Sequence, residues 1–249
     1  MRIPAIAALG IAAYVAFLVA TIPASMVAAR AAGAVPGLEL SESSGTLWNG
    51  AARARLATAG GQVTLDSLHW HFLPAHLASG RLAFDVDASG PGVDAHAAIG
   101  RSVGAWELRD GRGQSEAPLA MAIAPWIAPW RPEGALTFAI PSASWDEREA
   151  RGDATIEWRR AAVALSEVHP LGSYRLVAHA DTGPAQVSVT TIEGPLTVSG
   201  KGTLTPPHRL AFSGEARGEG DAAKALEPLL DLLGPRRPDG ARAVEVRMN

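Results

Sequence analysis

Residues Ile3 to Ile22 form a run of twenty residues without a single charge. At about 1.5 Å of rise per residue, a helix of about twenty residues crosses the roughly 30 Å hydrocarbon core of a bilayer. Only Met1 and Arg2 precede the run, and apolar character continues to Ala29 before Arg30. A short positive end stays in the cytoplasm, so the residues beyond the run are expected on the far side of the membrane. A cleaved signal peptide is the alternative, since Ala24–Met26 and Ala29–Ala34 offer small residues for processing. Retention as a single-pass anchor is the preferred reading.

What lies beyond the anchor is long enough for one large or two small domains. With Arg2 and Arg30 set aside, 20 basic residues face 25 acidic ones, a balance of −5. Nucleic acids and anionic headgroups require clustered Lys and Arg, and the only lysines are Lys201 and Lys224. The chain has no cysteine, which removes disulfides, thiolate metal sites and cysteine nucleophiles.

The 26 glycines and 18 prolines suit many short strands joined by turns. Gly33 to Ser44 reads as a connector. After the turn pair Asn49-Gly50, Ala52, Ala54 and Leu56 alternate with Arg53 and Arg55, the two-residue period of a half-buried strand. Val63 and Leu65 continue on odd positions but Leu68, Trp70 and Phe72 on even ones, so a bulge is expected at Asp66-Ser67. Alternation recurs at Leu82–Ala88, Leu136–Ile140, Ala154–Trp158 and Tyr174–Ala180, and in later segments up to Val244, Val246 and Met248. Two stretches break this period. Leu119, Ile123, Trp126 and Ile127 are spaced as a helical face that Pro125 must end or kink. A second helix is signalled by a run containing Leu226, Leu229, Leu230, Leu232 and Leu233, with Asp221 expected as N-cap, Pro228 as a divider and Gly234-Pro235 as a stop.

The order of strands, helix and closing strand occurs twice, and Arg131-Pro132-Glu133-Gly134-Ala135 matches Arg237-Pro238-Asp239-Gly240-Ala241 except for Glu against Asp. The expected fold is therefore mainly β: an N-terminal transmembrane helix, then two similar curved antiparallel units, each with one short helix. Residues 1–30 would be cytoplasmic tip and anchor, 31–44 a linker, 45–132 the first unit and 133–249 the second.

Chemistry is sparse. Gly100-Arg101-Ser102-Val103-Gly104 has the spacing of a hydrolase nucleophile elbow, but that elbow leads from strand to helix, whereas Ala105 to Asp110 alternates as another strand. Gly218 to Ala223 has dinucleotide-loop spacing, yet Glu219 and Asp221 would repel a pyrophosphate. His69, His71 and His76 could be imagined on a metal, but the first two fall on the polar face of a strand whose other face carries Leu68, Trp70 and Phe72. No catalytic, metal or cofactor-binding residue is assigned, and no cofactor. Trp48, Trp70, Trp106 and Trp158 read as core; Trp126 and Trp130, among Pro125, Pro129 and Pro132, form the best candidate for an exposed contact.

Gly45-Thr46-Leu47-Trp48-Asn49-Gly50, Pro170-Leu171-Gly172-Ser173-Tyr174 and Gly194-Pro195-Leu196-Thr197-Val198-Ser199-Gly200-Lys201-Gly202, in this order behind a lone anchor, resemble protein N of the bacterial type II secretion system. The leucine-rich helix and Asp239-Gly240 are similar to that family too. The resemblance implies an accessory inner-membrane component acting through protein–protein contacts, without catalytic residues. Its partners would be inner-membrane parts of the apparatus or the outer-membrane secretin, with neither nucleic acid nor a small-molecule substrate. The Gly-Thr-Leu-Trp turn after an anchor also resembles AsmA-type lipid-handling proteins, a reading that a contiguous apolar concave face would favour.

Overall fold

The computed structural model describes residues 14, 17–34, 36–58, 61–102, 104–146, 149–181, 183–205 and 209–248. Thirteen strands form one antiparallel sheet in which each strand pairs with its neighbours in sequence. They are β1 (Leu38–Gly45), β2 (Asn49–Thr58), β3 (Gly61–Phe72), β4 (Leu82–Gly90), β5 (Val93–Arg101), β6 (Trp106–Glu116) and β7 (Pro132–Trp145). The sheet continues with β8 (Ala150–Val163), β9 (Gly172–Ala180), β10 (Ala185–Glu193), β11 (Leu196–Thr205), β12 (Arg209–Gly218) and β13 (Arg242–Met248). Beyond Ile22 the helices among the described residues are α1 (Ala24–Ala34), α2 (Ala120–Ile123) and α3 (Ala223–Leu233); tight 3-10 turns, Ala117–Leu119 and Pro125–Trp130, flank α2.

The alternating sequence becomes two unlike faces. On one, Ala52, Leu68, Ala88, Ala95, Gly113 and Phe138 stand opposite one another from β2 to β7. Ile156, Leu176, Val189, Gly200, Gly214 and Val244 extend the row to β13. It contains no polar side chain. One residue away, on the other face, runs Gln114, Thr137, Glu157, Arg175, Thr190, Ser199 and Glu215. Successive side chains of a strand point to opposite faces, so this sheet is dry on one side and wet on the other.

Ion pairs knit the wet face. Glu157 accepts from Arg159 at 2.6 Å and Arg175 at 2.9 Å, and these two guanidinium hydrogen bonds, Arg175 foremost, hold its carboxyl below the usual range. His179 sits between Asp153 at 2.6 Å and Asp181 at 3.3 Å; the bond to Asp153, then that to Asp181, raises its imidazole above the ordinary value. Protonated His179 is thus favoured by folding. Its contribution is full below an imidazole's ordinary pKa of about 6.5 and is lost as pH rises through the raised value. We expect the melting-temperature gap between wild type and His179→Gln to narrow from about pH 5.5 to about pH 8.5. A gap independent of pH would rule out this linkage.

The bulge falls where the phase change places it: Ala52 pairs with Leu68 and Ala54 with Leu65, leaving Asp66 and Ser67 together opposite Arg53. The helical stretch before β7 bends at Ala124-Pro125. Other features depart from expectation. The 31–44 connector carries the end of α1 and all but the last residue of β1. The 132/133 boundary between the expected units lies at the start of β7, inside a ladder that runs unbroken from β6 through β8. Pro228 does not divide α3, and Asp221 belongs to a 3-10 turn and makes no side-chain cap. Burial of Leu226, Leu229 and Leu230 on one helical face holds the helix through the hydrogen bond that proline forfeits.

Ile3–Ile22 lies largely outside the described residues. Of that run, residue 14 and residues 17–20 are helical, with Tyr14, Phe17 and Leu18 exposed. Among the described residues no helix is long and apolar enough to cross a membrane.

Candidate functional site: an apolar cavity beneath strands seven to thirteen

A cavity of about 420 Å³ lies against the dry face. Its floor is Leu136, Ile156, Trp158, Tyr174, Leu176, Val189, Leu196, Val198 and Val244, supplied by six strands from β7 to β13. One wall is the Pro125–Trp130 turn, through Trp126, Ile127 and Trp130, and another is α3, through Leu229 and Leu233. Strands β7 and β13 are six spacings apart, about 29 Å on a flat sheet, so a single cavity bordered by both requires the sheet to curl around it. Each half of the chain thus contributes its helical segment to the same space. The cavity borders the filled core: Val163, Leu171, Leu196, Ala216, Leu226, Leu229 and Leu230 form the buried cluster, with Trp130 and Trp158 packed on it, and several of these side chains also line the cavity.

The lining holds no charged side chain. The Tyr174 hydroxyl donates to the Leu196 carbonyl at 2.9 Å, and the Trp158 indole N–H to the Glu133 carbonyl at 2.9 Å. Burial pushes the Tyr174 hydroxyl well above the ordinary phenol value, so it stays a neutral donor. Bound to the protein's own backbone, neither group is left to orient a polar ligand.

Two of the sequence motifs meet at one corner of this cavity. The Leu196 amide donates to the Leu171 carbonyl at 3.0 Å, and the Ser173 hydroxyl donates to the Glu193 carboxylate at 3.2 Å. Gly172 and Gly194 lie so close that a Cβ on Gly194 would stand 3.0 Å from the Gly172 amide nitrogen and 2.8 Å from the Leu171 carbonyl oxygen. The third motif works at the other end of the sheet. In Gly45–Gly50 the Thr46 amide donates to the Asn49 carbonyl at 2.8 Å, closing the β1–β2 hairpin. From that turn the Trp48 indole N–H donates to the Val19 carbonyl at 2.8 Å, and the Ile22 carbonyl accepts from the Leu47 amide at 2.8 Å. The turn is therefore a receptor for the end of the apolar N-terminal segment.

The remaining sequence candidates disperse. Ser102 closes the hairpin between β5 and β6, where its amide donates to the Ala105 carbonyl at 3.0 Å; no helix follows. Gly218–Ala223 is a turn into α3, and the Glu219 amide is taken by the Pro195 carbonyl at 2.7 Å. His69 and His71 are exposed on β3, while the His76 Nδ1 is buried without a hydrogen-bond partner among the described residues. No group of three or more His, Asp or Glu among the described residues is arranged to hold a metal ion. Trp48, Trp70 and Trp158 are part-buried, but Trp106 is 42% exposed, opposite Trp145 at the strand ends and beneath the Arg101 guanidinium, 5.0 Å from the ring centroid. Trp126 is 53% exposed at the cavity wall, while Trp130 packs on the core.

An unbroken antiparallel sheet, polar on one face and apolar on the other, where a cavity without charge lies against it, defines a mainly β protein. Residues 36–245 match the model of the family described as type II secretion system (T2SS), protein N. The chain belongs to this family of type II secretion components. It is 26% identical over 235 residues to a type II secretion system protein N of Pectobacterium carotovorum subsp. carotovorum, covering 89% of each chain. No solved structure matches it.

Proposed function

We propose that the chain is an accessory inner-membrane component of a type II secretion system, which moves folded proteins from the periplasm across the outer membrane. Ile3–Ile22 anchors it once, the remainder is periplasmic, and it acts by contact with inner-membrane platform proteins or the secretin instead of by turnover. The match over residues 36–245 carries this reading. The uncharged leader, the acidic balance beyond it and a β1–β2 turn that grips residues 19 and 22 support the placement. The recurring pentads at Arg131–Ala135 and Arg237–Ala241 support two related halves within the single sheet.

The exposed Trp126 on the 125–130 turn is the favoured contact. Deleting the coding sequence should retain exoproteins in the periplasm, and the full chain supplied in trans should restore their release. A photo-crosslinking residue at position 126 should capture a component of the apparatus. Undiminished secretion together with crosslinks only to unrelated proteins would overturn the proposal.

A further inference from the structure

We infer that the cavity beneath β7 to β13 is a binding site for a long alkyl chain, the acyl tail of a fatty acid or phospholipid. Its volume of about 420 Å³ falls in the range of about 300–1,000 Å³ typical of sites that hold small ligands. Trp126, Trp130, Ile156, Leu176, Val189 and Leu229 bring only hydrocarbon and aromatic surface to it. The hydroxyl of Tyr174 and the indole N–H of Trp158 are bound to backbone carbonyls. A polar atom placed there exchanges its hydrogen bonds to water for none. That excludes sugars and nucleotides, and it excludes an extended peptide, which brings an N–H and a C=O with every residue. An alkyl chain brings neither. Cavities lined in this way stay dry until something apolar enters, and removing both surfaces from water drives the association.

Where such a chain would come from is written at the other end of the same face. The apolar row that passes through Ile156, Leu176 and Val189 runs back to Ala52 on β2, the strand that leaves the turn gripping Val19 and Ile22. On the anchoring proposed above, the uncharged leader brings that end of the sheet to hydrocarbon. A protein held there meets acyl chains before any other apolar solute.

The full-length protein, exchanged from detergent into amphipol, is incubated with a diazirine-bearing palmitic acid or, in nanodiscs, with a diazirine-bearing phosphatidylethanolamine. It is then irradiated and the labelled peptides are sequenced. Label is expected on peptides spanning 126–136, 156–176, 189–198 and 229–244. Labelling by the fatty acid alone identifies a free acyl chain as ligand, and labelling by the phospholipid alone a lipid tail; both support the site. Val189→Trp, which fills the floor, should reduce that label at least tenfold, whereas Ser188→Trp, on the wet face of the same strand, should leave it unchanged. If Val189→Trp does not fold, the wild-type map decides. Label confined to residues 1–34, or none from either probe, overturns the inference. Because binding is read directly, a negative result here leaves the secretion role standing, and a failed secretion test leaves the cavity standing.

Discussion

Leu226→Ala should destabilise the protein by about 3–5 kcal/mol, the upper part of the range for truncating a fully enclosed leucine. Leu226 is 0% exposed, the largest side chain so completely enclosed among the described residues, and it joins α3 to Val163, Leu171, Leu196 and Ala216. For a chain of this size that destabilisation corresponds to a melting temperature lower by roughly 6–20 °C, read by circular dichroism. Leu232→Ala on the same helix is the control: Leu232 is 64% exposed, and its loss should fall within about 0.5 kcal/mol. Equal effects would mean that α3 is not anchored through its inner face. Leu226 does not line the ligand cavity, so a folded Leu226→Ala protein should still take the acyl probe.

How far the chain could be read in advance follows from which physical quantity each feature depends on. Side-chain alternation is local, so the half-buried strands, the bulge at Asp66-Ser67 and the helical break at Pro125 were all legible. The period reports which residues share a face; it does not report how many strands join one sheet. Residues 45–132 and 133–249 therefore looked like separate units, although β6 and β7 pair along most of their length across the intervening helical segment. Local rules also lose to tertiary burial. Pro228 forfeits one helical hydrogen bond, but the leucines around it gain the core, and the helix runs on.

The cavity was the least legible feature. Ile156, Leu176 and Val189 have the spacing of core residues, and nothing local separates a core position from the floor of a cavity. The difference arises only when the sheet curls and two helical segments distant in sequence, 125–130 and 223–233, stand apart over it. A tryptophan likewise reads as core wherever it falls in a strand. Trp106 escapes burial because it sits at a strand end, where Arg101 stacks on it instead. The family motifs were visible as letters, but their purpose was not: Pro170–Tyr174 and Gly194–Gly202 are distant in sequence and meet in one corner.

That corner yields the second large effect. Gly194→Ala should cost about 2–5 kcal/mol, combining backbone strain at positive φ with overpacking against main chain. Gly194 has φ +121°, a conformation that side chains rarely adopt, and its Cβ would press on Gly172 and the Leu171 carbonyl, none of which is the free end of a flexible side chain. Relief would require parting β9 from the β10–β11 turn, and with it the Leu196-to-Leu171 and Tyr174-to-Leu196 hydrogen bonds that tie the start of β9 to the start of β11. Gly183→Ala separates the two causes. Gly183 also has positive φ, +98°, but a Cβ there meets nothing within 4 Å, so only the strain of about 1 kcal/mol or a little more should register. Denaturant titration of the two variants gives the contact term as their difference. Should they prove equally destabilised, the close approach of Gly172 and Gly194 contributes nothing, and the corner is not what keeps those strands together.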